Sequence, residues 1–212
     1  MKLSASFLML KDKKSILKLA HEDIDYLHLD IMDGIYVENK SPDLKEIKDI
    51  VKDINCPLDI HLMVTDVLKY VENYQELKPK IITMHIDAIK NFQNIIYILK
   101  ENNIKIGLAL KPNEDISLLE PFLSYIDLVL IMSVIPGKGG QKFLAENIQK
   151  VNGLRQLQVQ HNYSFSIAID GGINDQTIKF CRDCDIIVVG NFITTGNMTK
   201  NIKKLKESYN GI

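Results

Sequence analysis

Eight short apolar runs alternate with stretches whose apolar residues recur at helical spacing, and this alternation constrains the chain more than any other feature. The runs cover residues 3–8, 26–31, 58–63, 81–85, 104–110, 128–132, 165–169 and 186–189. Each is of strand length and too short for a typical helix. After the second run, Ser41 and Pro42 precede Leu44, Ile47, Ile50, Val51 and Ile54, so Ser41 is expected to cap a helix with Pro42 in its first turn. Thr65 and Asp66 open a similar set at Val67, Leu68 and Val71. Phe92, Ile95, Ile96 and Leu99 mark another, and Ile148, Val151 and Leu154 the next. The first and last helices read from Ile16, Leu17 and Ala20, and from Ile202 and Leu205.

Strand and helix in strict alternation imply an α/β fold with a parallel sheet covered by helices. Eight repeats within 212 residues are what a closed (β/α)8 TIM barrel shows, since such barrels need roughly 200 residues or more. An open doubly wound sheet is the alternative. Its phosphate loop after the first strand is missing, because Met9, Leu10 and Lys11 include no glycine. No linker, low-complexity tract or compositional shift interrupts the chain, so residues 1–212 are expected to form a single catalytic domain.

A net charge of -1 creates no field that would collect nucleic acid or a membrane surface, which points to a small ligand held by local donors. The apolar start is short, a charged stretch at 11–14 follows at once, and no small-residue cleavage site appears, so it is expected to be a buried strand. No apolar run approaches the roughly 20 residues that cross a bilayer. Three cysteines, Cys56, Cys181 and Cys184, are an odd number in a chain too large to need disulfide staples, and a cytoplasmic location is expected.

In a barrel of this kind the chemistry sits at the C-terminal ends of the strands. The second run carries His28 and Asp30 before Met32-Asp33-Gly34, the third carries Asp59 and His61 before Met63-Val64, and the seventh leads to Asp170-Gly171-Gly172. Period-two alternation puts His28 and Asp30 on one face, which a barrel points inward. With His61 and Asp170 they make a set of two imidazoles and two carboxylates. Such a set suits one divalent ion, Zn, Mn, Fe or Co, without choosing among them. Taken singly, each histidine has a structural explanation as a core residue and each aspartate as a turn residue. Four together at three strand ends favour a metal site.

Late loops supply a second group. Pro136-Gly137-Lys138-Gly139-Gly140-Gln141 follows the sixth run, Gly171 and Gly172 the seventh, and Gly190-Asn191 the eighth. Glycines let the backbone approach an anion closely, and barrel enzymes often build phosphate sites from their last loops. Lys138 reads as a solvated lysine that could add charge to this lid.

These residues carry a resemblance. His-x-Asp-x-Met-Asp-Gly, His-Leu-Met-Val, Met-x-x-x-Pro-Gly-x-Gly-Gly-Gln and Asp-Gly-Gly, in this order and spacing between Ser6 and about Ile193, resemble the ribulose-phosphate 3-epimerase family. The resemblance implies that His28, Asp30, His61 and Asp170 bind the metal, and that Asp30 and Asp170 are also the acid/base pair. It implies that Ser6 and His61 contact substrate, that Met32, Met63 and Met132 line the site, and that the phosphate meets Gly137, Gly139, Gly140, Gly171, Gly172, Gly190 and Asn191. The implied activity is C3 epimerisation of D-ribulose 5-phosphate to D-xylulose 5-phosphate through a metal-stabilised enediolate, in pentose-phosphate metabolism, by a homo-oligomer.

The chain departs from the family pattern in places. After Met-Asp-Gly it reads Ile35-Tyr36-Val37-Glu38-Asn39 where the family usually has His-Phe-Val-Pro-Asn. Lys138 stands where an aromatic is usual, and Asn191 where Ser is common, although Asn still donates hydrogen bonds. His85 and Asp87 resemble a family His-x-Glu, readable either as support for the site or as a solvent contact. Cys181-Arg182-Asp183-Cys184 has no second cysteine pair to make a metal site. Three other readings stay open: a hexulose-6-phosphate (allulose-6-phosphate) 3-epimerase, a non-catalytic sugar-phosphate sensor, and a barrel decarboxylase or aldolase. The last would need a lysine at the reaction centre, and Lys111 sits in a Lys-Pro turn that looks structural.

Overall fold

The structure is a computed structural model that describes residues 1–10 and 12–211; Lys11 and Ile212 lie outside the described residues. Among the described residues eight strands, all paired in parallel with their neighbours, close a barrel in chain order: β1 (Lys2–Ser6), β2 (Tyr26–Met32), β3 (Leu58–Met63), β4 (Ile81–His85), β5 (Lys105–Leu110), β6 (Leu128–Met132), β7 (Ser166–Asp170) and β8 (Ile186–Val189). The N-terminal run is a barrel strand, with β1 paired to β2 on one side and β8 on the other. It ends at Ser6, two residues before the apolar run does, and β7 reaches one residue further than its run, to Asp170.

The helices are α1 (Lys13–Ala20), α2 (Leu44–Val51), α3 (Val67–Tyr74), α4 (Phe92–Glu101), α5 (Ile148–His161), α6 (Asn191–Thr194) and α7 (Met198–Asn210). Two expectations need correction. Ser41 does not cap α2; Asp43 does, in a capping box with Glu46. Ser41 instead binds the backbone of Met32 through its hydroxyl, which closes the loop after β2. Repeats five and seven carry 3-10 segments, Ile116–Phe122 and Ile178–Cys181, rather than α-helices. In the first, Pro121 removes a backbone donor. In the second, Asn174 bonds the amides of Gln176 and Thr177 and β8 starts at Ile186, leaving no room for a longer helix.

The two faces of the strands make two apolar bodies. Outward residues such as Leu27, Ile60, Ile106, Val129 and Ile167 pack with Ile47, Val71, Leu99 and Leu154 of the helices. Inward residues Tyr26, Ile81, Leu128, Leu130, Ala168 and Ile186 form a smaller cluster inside the barrel. Each fully buried aliphatic side chain contributes about 1.5–3 kcal/mol. The small interior cluster leaves the rest of the cylinder to polar side chains, and that is where the site lies. Among the described residues no helix is long and apolar enough to cross a membrane.

Candidate active site

Strand register determines which polar side chains meet. Asp30 is the Cα partner of His61, and His28 of Asp59, so two adjacent strands present a checkerboard of imidazole and carboxylate. All four side chains point inward. The β7 strand, paired with β6 and β8, adds Asp170 from another part of the wall. Ligand atoms of His28, Asp30, His61 and Asp170 all lie within 4.8 Å of one another.

The shell around this cluster is specific. Asp30 accepts a 2.8 Å hydrogen bond from Ser6 Oγ and lies 3.3 Å from His61 Nδ1 and 3.4 Å from His28 Nε2. Asp59 Oδ2 accepts from Ser4 Oγ and faces His28 Nδ1, both at 2.8 Å. His61 Nε2 meets His85 Nε2 at 3.0 Å. His28 Nε2 is buried with no hydrogen-bond partner among the described residues. An orphaned ring nitrogen aimed at two carboxylates, with its other nitrogen held by a third, is the donor arrangement of a metal-ligating histidine. The residues present fit a divalent cation.

In the field of the protein's own groups the two carboxylates differ. Burial opposes ionisation of Asp30, yet the imidazoles of His28 and His61 outweigh it and hold the carboxyl well below the usual range. Burial, reinforced by the nearby Asp30 charge, pushes Asp170 up to about 6. Burial also keeps His85 neutral, aided by His61 and Lys111.

Above the cluster opens a cavity of about 250 Å³. Ser6, Asp30, Met63, Met132 and Asp170 line its floor, and Gly137, Gly139, Gly140, Gly171, Gly172, Gly190 and Asn191 its mouth. His28 and His61 lie beneath, 1% and 0% exposed. Met32 is the exception among the expected lining residues. It is buried and is not among the residues lining this cavity; beyond it a bridge between Asp33 and Lys40 closes the loop after β2.

The loops around the cavity are fastened by side-chain hydrogen bonds and ion pairs. Ser133 Oγ donates to the carbonyls of Asp170 and Gly171, pinning the end of β7. Asp33 accepts from the amides of Ile35, Tyr36 and Thr65 and from the Thr65 hydroxyl. Lys138 pairs at 2.8 Å with Glu38, so two departures from the family pattern meet each other, and Asn39 Nδ2 donates to the carbonyl of Gly137 beside them. Tyr36 packs beside His85, its ring tilted 39° to the imidazole, and donates to Asp87, which also pairs with Lys111. The alternative of a solvent contact for His85 is excluded by its 0% exposure. Lys111 is not among the residues lining the cavity. All three cysteines are free; burial pushes the Cys181 thiol up to about 12 and raises Cys184 as well, so neither is a poised thiolate.

Asp33 supports a pH prediction. Although burial opposes ionisation, the Thr65, Tyr36 and Ile35 amides hold its carboxyl below the usual aspartate value. A depressed folded value means that its stabilisation is complete above the unfolded pKa and fades as pH falls through the folded one. Asp33→Asn is therefore expected to lower Tm at pH 7, with the difference from wild type shrinking toward pH 3. Thermal melts at both pH values check this, and a gap that widens in acid contradicts it.

Comparison with known proteins decides the family. Residues 2–194 match the Ribulose-phosphate 3 epimerase family. The chain belongs to that family. It is 34% identical over 194 residues to a ribulose-phosphate 3-epimerase of Helicobacter pylori, covering 90% of this chain and 87% of that one. A ribulose-phosphate 3-epimerase of Treponema pallidum is 31% identical, covering 92% and 90%, and one of Methanocaldococcus jannaschii 33%, covering 97% and 88%. Membership makes the chain an isomerase of the epimerase kind. Among solved structures, KGPDC from Streptococcus mutans superposes with a TM-score of 0.73 at 14% identity, covering 100% of this chain and 98% of that one. N-(5'-phosphoribosyl)anthranilate isomerase from Pyrococcus furiosus gives 0.68 at 11%, covering 100% of both. At such identities these two show the shared barrel fold alone.

Proposed function

We propose that this barrel is a metal-dependent epimerase that inverts C3 of D-ribulose 5-phosphate to give D-xylulose 5-phosphate. The observation that carries the reading is the convergence of two carboxylates and two imidazoles within 4.8 Å at the floor of a glycine-rimmed cavity. Inverting a carbon beside a carbonyl requires removing a weakly acidic proton from one face and returning one to the other, so two acid/base groups must flank it. Asp30 and Asp170 take these roles, each reaching the cavity from a different part of the barrel wall. Ser6 holds the Asp30 carboxylate by its hydrogen bond and is open to the cavity beside it. His28, Asp30, His61 and Asp170 would hold the metal. A divalent ion bound by them would supply positive charge to offset the negative charge that develops when the C3 proton is removed.

Amides of Gly139, Gly140, Gly171, Gly172 and Gly190, with the Asn191 side chain, take the phosphate at the mouth. Met63 and Met132 wall the reaction centre with apolar surface. Retention of both aspartates separates this reading from a sensor, because binding alone needs no paired bases.

Stripping the protein with a chelator is expected to remove most turnover of ribulose 5-phosphate, and one equivalent of Zn, Mn, Fe or Co to restore it. Full activity in verified metal-free protein overturns the metal assignment. Allulose 6-phosphate assayed alongside is expected to turn over more slowly; a higher kcat/KM for the hexulose would reassign the substrate, and no epimerisation of either would refute the function.

A further inference from the structure

His28 and His61 can both ligate one cation only if each presents an unprotonated nitrogen to the same point. A neutral imidazole carries one N–H, and the group facing the opposite ring nitrogen decides where it sits. Behind His28 stands Asp59, 3% exposed, whose Oδ2 lies 2.8 Å from Nδ1 and faces it as an acceptor. Ser4 Oγ donates to that same oxygen at 2.8 Å and holds the carboxylate in place. The proton of His28 must therefore lie on Nδ1, which leaves the partnerless Nε2 as a lone pair facing the cluster. Behind His61 stands a different group, the fully buried imidazole of His85, 3.0 Å away through its Nε2. His61 can turn a lone pair at Nδ1 toward Asp30 and the cluster only when its own proton sits on Nε2 and is donated to His85. His85 then keeps its proton on Nδ1, which is buried without a partner among the described residues.

We propose that Asp59 and His85 are positioning residues that lock His28 and His61 in opposite tautomers, one proton on Nδ1 and the other on Nε2, so that both lone pairs converge on one cation. The two backing groups are unlike. A carboxylate accepts more strongly than a neutral imidazole and makes the ring in front of it the more basic ligand. His28 is the tighter ligand of the two, and His61 the adjustable one. This deepens the metal reading above and rests on it.

The test reads metal affinity, by competition of Co(II) against a chromophoric chelator, together with the visible d–d spectrum of the Co(II) protein. Asp59→Leu and His85→Leu are each expected to weaken Co(II) roughly 10–100-fold, the usual cost of losing such a partner. His85→Gln, whose side-chain carbonyl still accepts from His61, is expected to stay close to wild type. His85→Glu, a stronger acceptor, is expected to bind Co(II) at least as tightly and to shift the d–d bands. A packing role alone would make Gln, Glu and Leu equally harmful. Melting temperatures of the metal-free variants report folding, and His85→Gln against wild type keeps the test open should His85→Leu not fold. Equal Co(II) affinity in wild type, His85→Leu and Asp59→Leu overturns the inference while leaving the metal site standing. Wild type that fails to bind one Co(II), or His28→Ala that binds it unchanged, overturns the metal site and the inference with it.

Discussion

Asp30→Asn and Asp170→Asn are each expected to abolish exchange of the substrate's C3 hydrogen with solvent. Each change removes one of the two proposed proton carriers and also a negative charge from a cluster whose ligand atoms lie within 4.8 Å of one another. Loss of a positioned acid or base alone costs roughly 10²–10⁴-fold, and the lost ligand adds to it. Asn is nearly isosteric, so the hydrogen bond from Ser6 to position 30 can survive and the fold should hold. The measurement is deuterium incorporation at C3 in D2O, followed by NMR for both epimers. Full exchange in both variants overturns the two-aspartate assignment. The surroundings already separate the pair: imidazoles hold Asp30 ionised, while burial beside Asp30 lifts Asp170 to about 6. Bound metal should keep both resting carboxylates ionised.

Gly172→Ala is expected to damage both stability and substrate binding. Gly172 has φ +65°, and an added Cβ would lie 2.3 Å from the nitrogen and 2.6 Å from the Cα of Phe143 and 2.9 Å from the carbonyl of Gln141. These are backbone atoms of the β6 loop, so the clash cannot be relieved by turning a side chain. Gly196 provides the control, because its φ is +87° with nothing within 4 Å of the added carbon. Gly196→Ala therefore carries only the left-handed backbone cost of about 1–2 kcal/mol. Gly172→Ala carries that strain and the displacement of the loop bearing Gly139 and Gly140. Its Tm should fall at least about 5 °C below that of Gly196→Ala, taking about 2–4 °C per kcal/mol for a chain of this size. KM for the sugar phosphate should rise at least about tenfold, which corresponds to loss of about 1.4 kcal/mol of binding. Equal Tm and KM in the two variants would show that Gly172 is not the close-approach point of the cradle.

Much of this site is readable in the linear chain, because alternation is local. His28 and Asp30 are two apart in one strand, as are Asp59 and His61, and Ser4 and Ser6, so each pair shares the inward face. The same rule could have flagged Asp59 and Ser4, whose roles emerged only when the register set Asp59 beside His28. Caps were less legible: Ser41 and Asp43 both suit a helix start, and the choice went to Asp43 because Ser41 was taken by the backbone of Met32. The pairing of Glu38 with Lys138 was not legible at all. Each appeared as a separate departure, and only the folded loops bring the two charges together.

What the sequence determined by itself is the kind of each element and the face that each residue takes, since periods of 2 and 3.6 follow from backbone geometry and bury apolar surface wherever the strand ends up. Which inward residues share a height was decided by the tertiary structure. Closing eight tilted strands imposes a stagger on their hydrogen-bond register, and that stagger, set by all strands together, brings Asp170 of β7 to the level of Asp30 in β2. No local pattern encodes it.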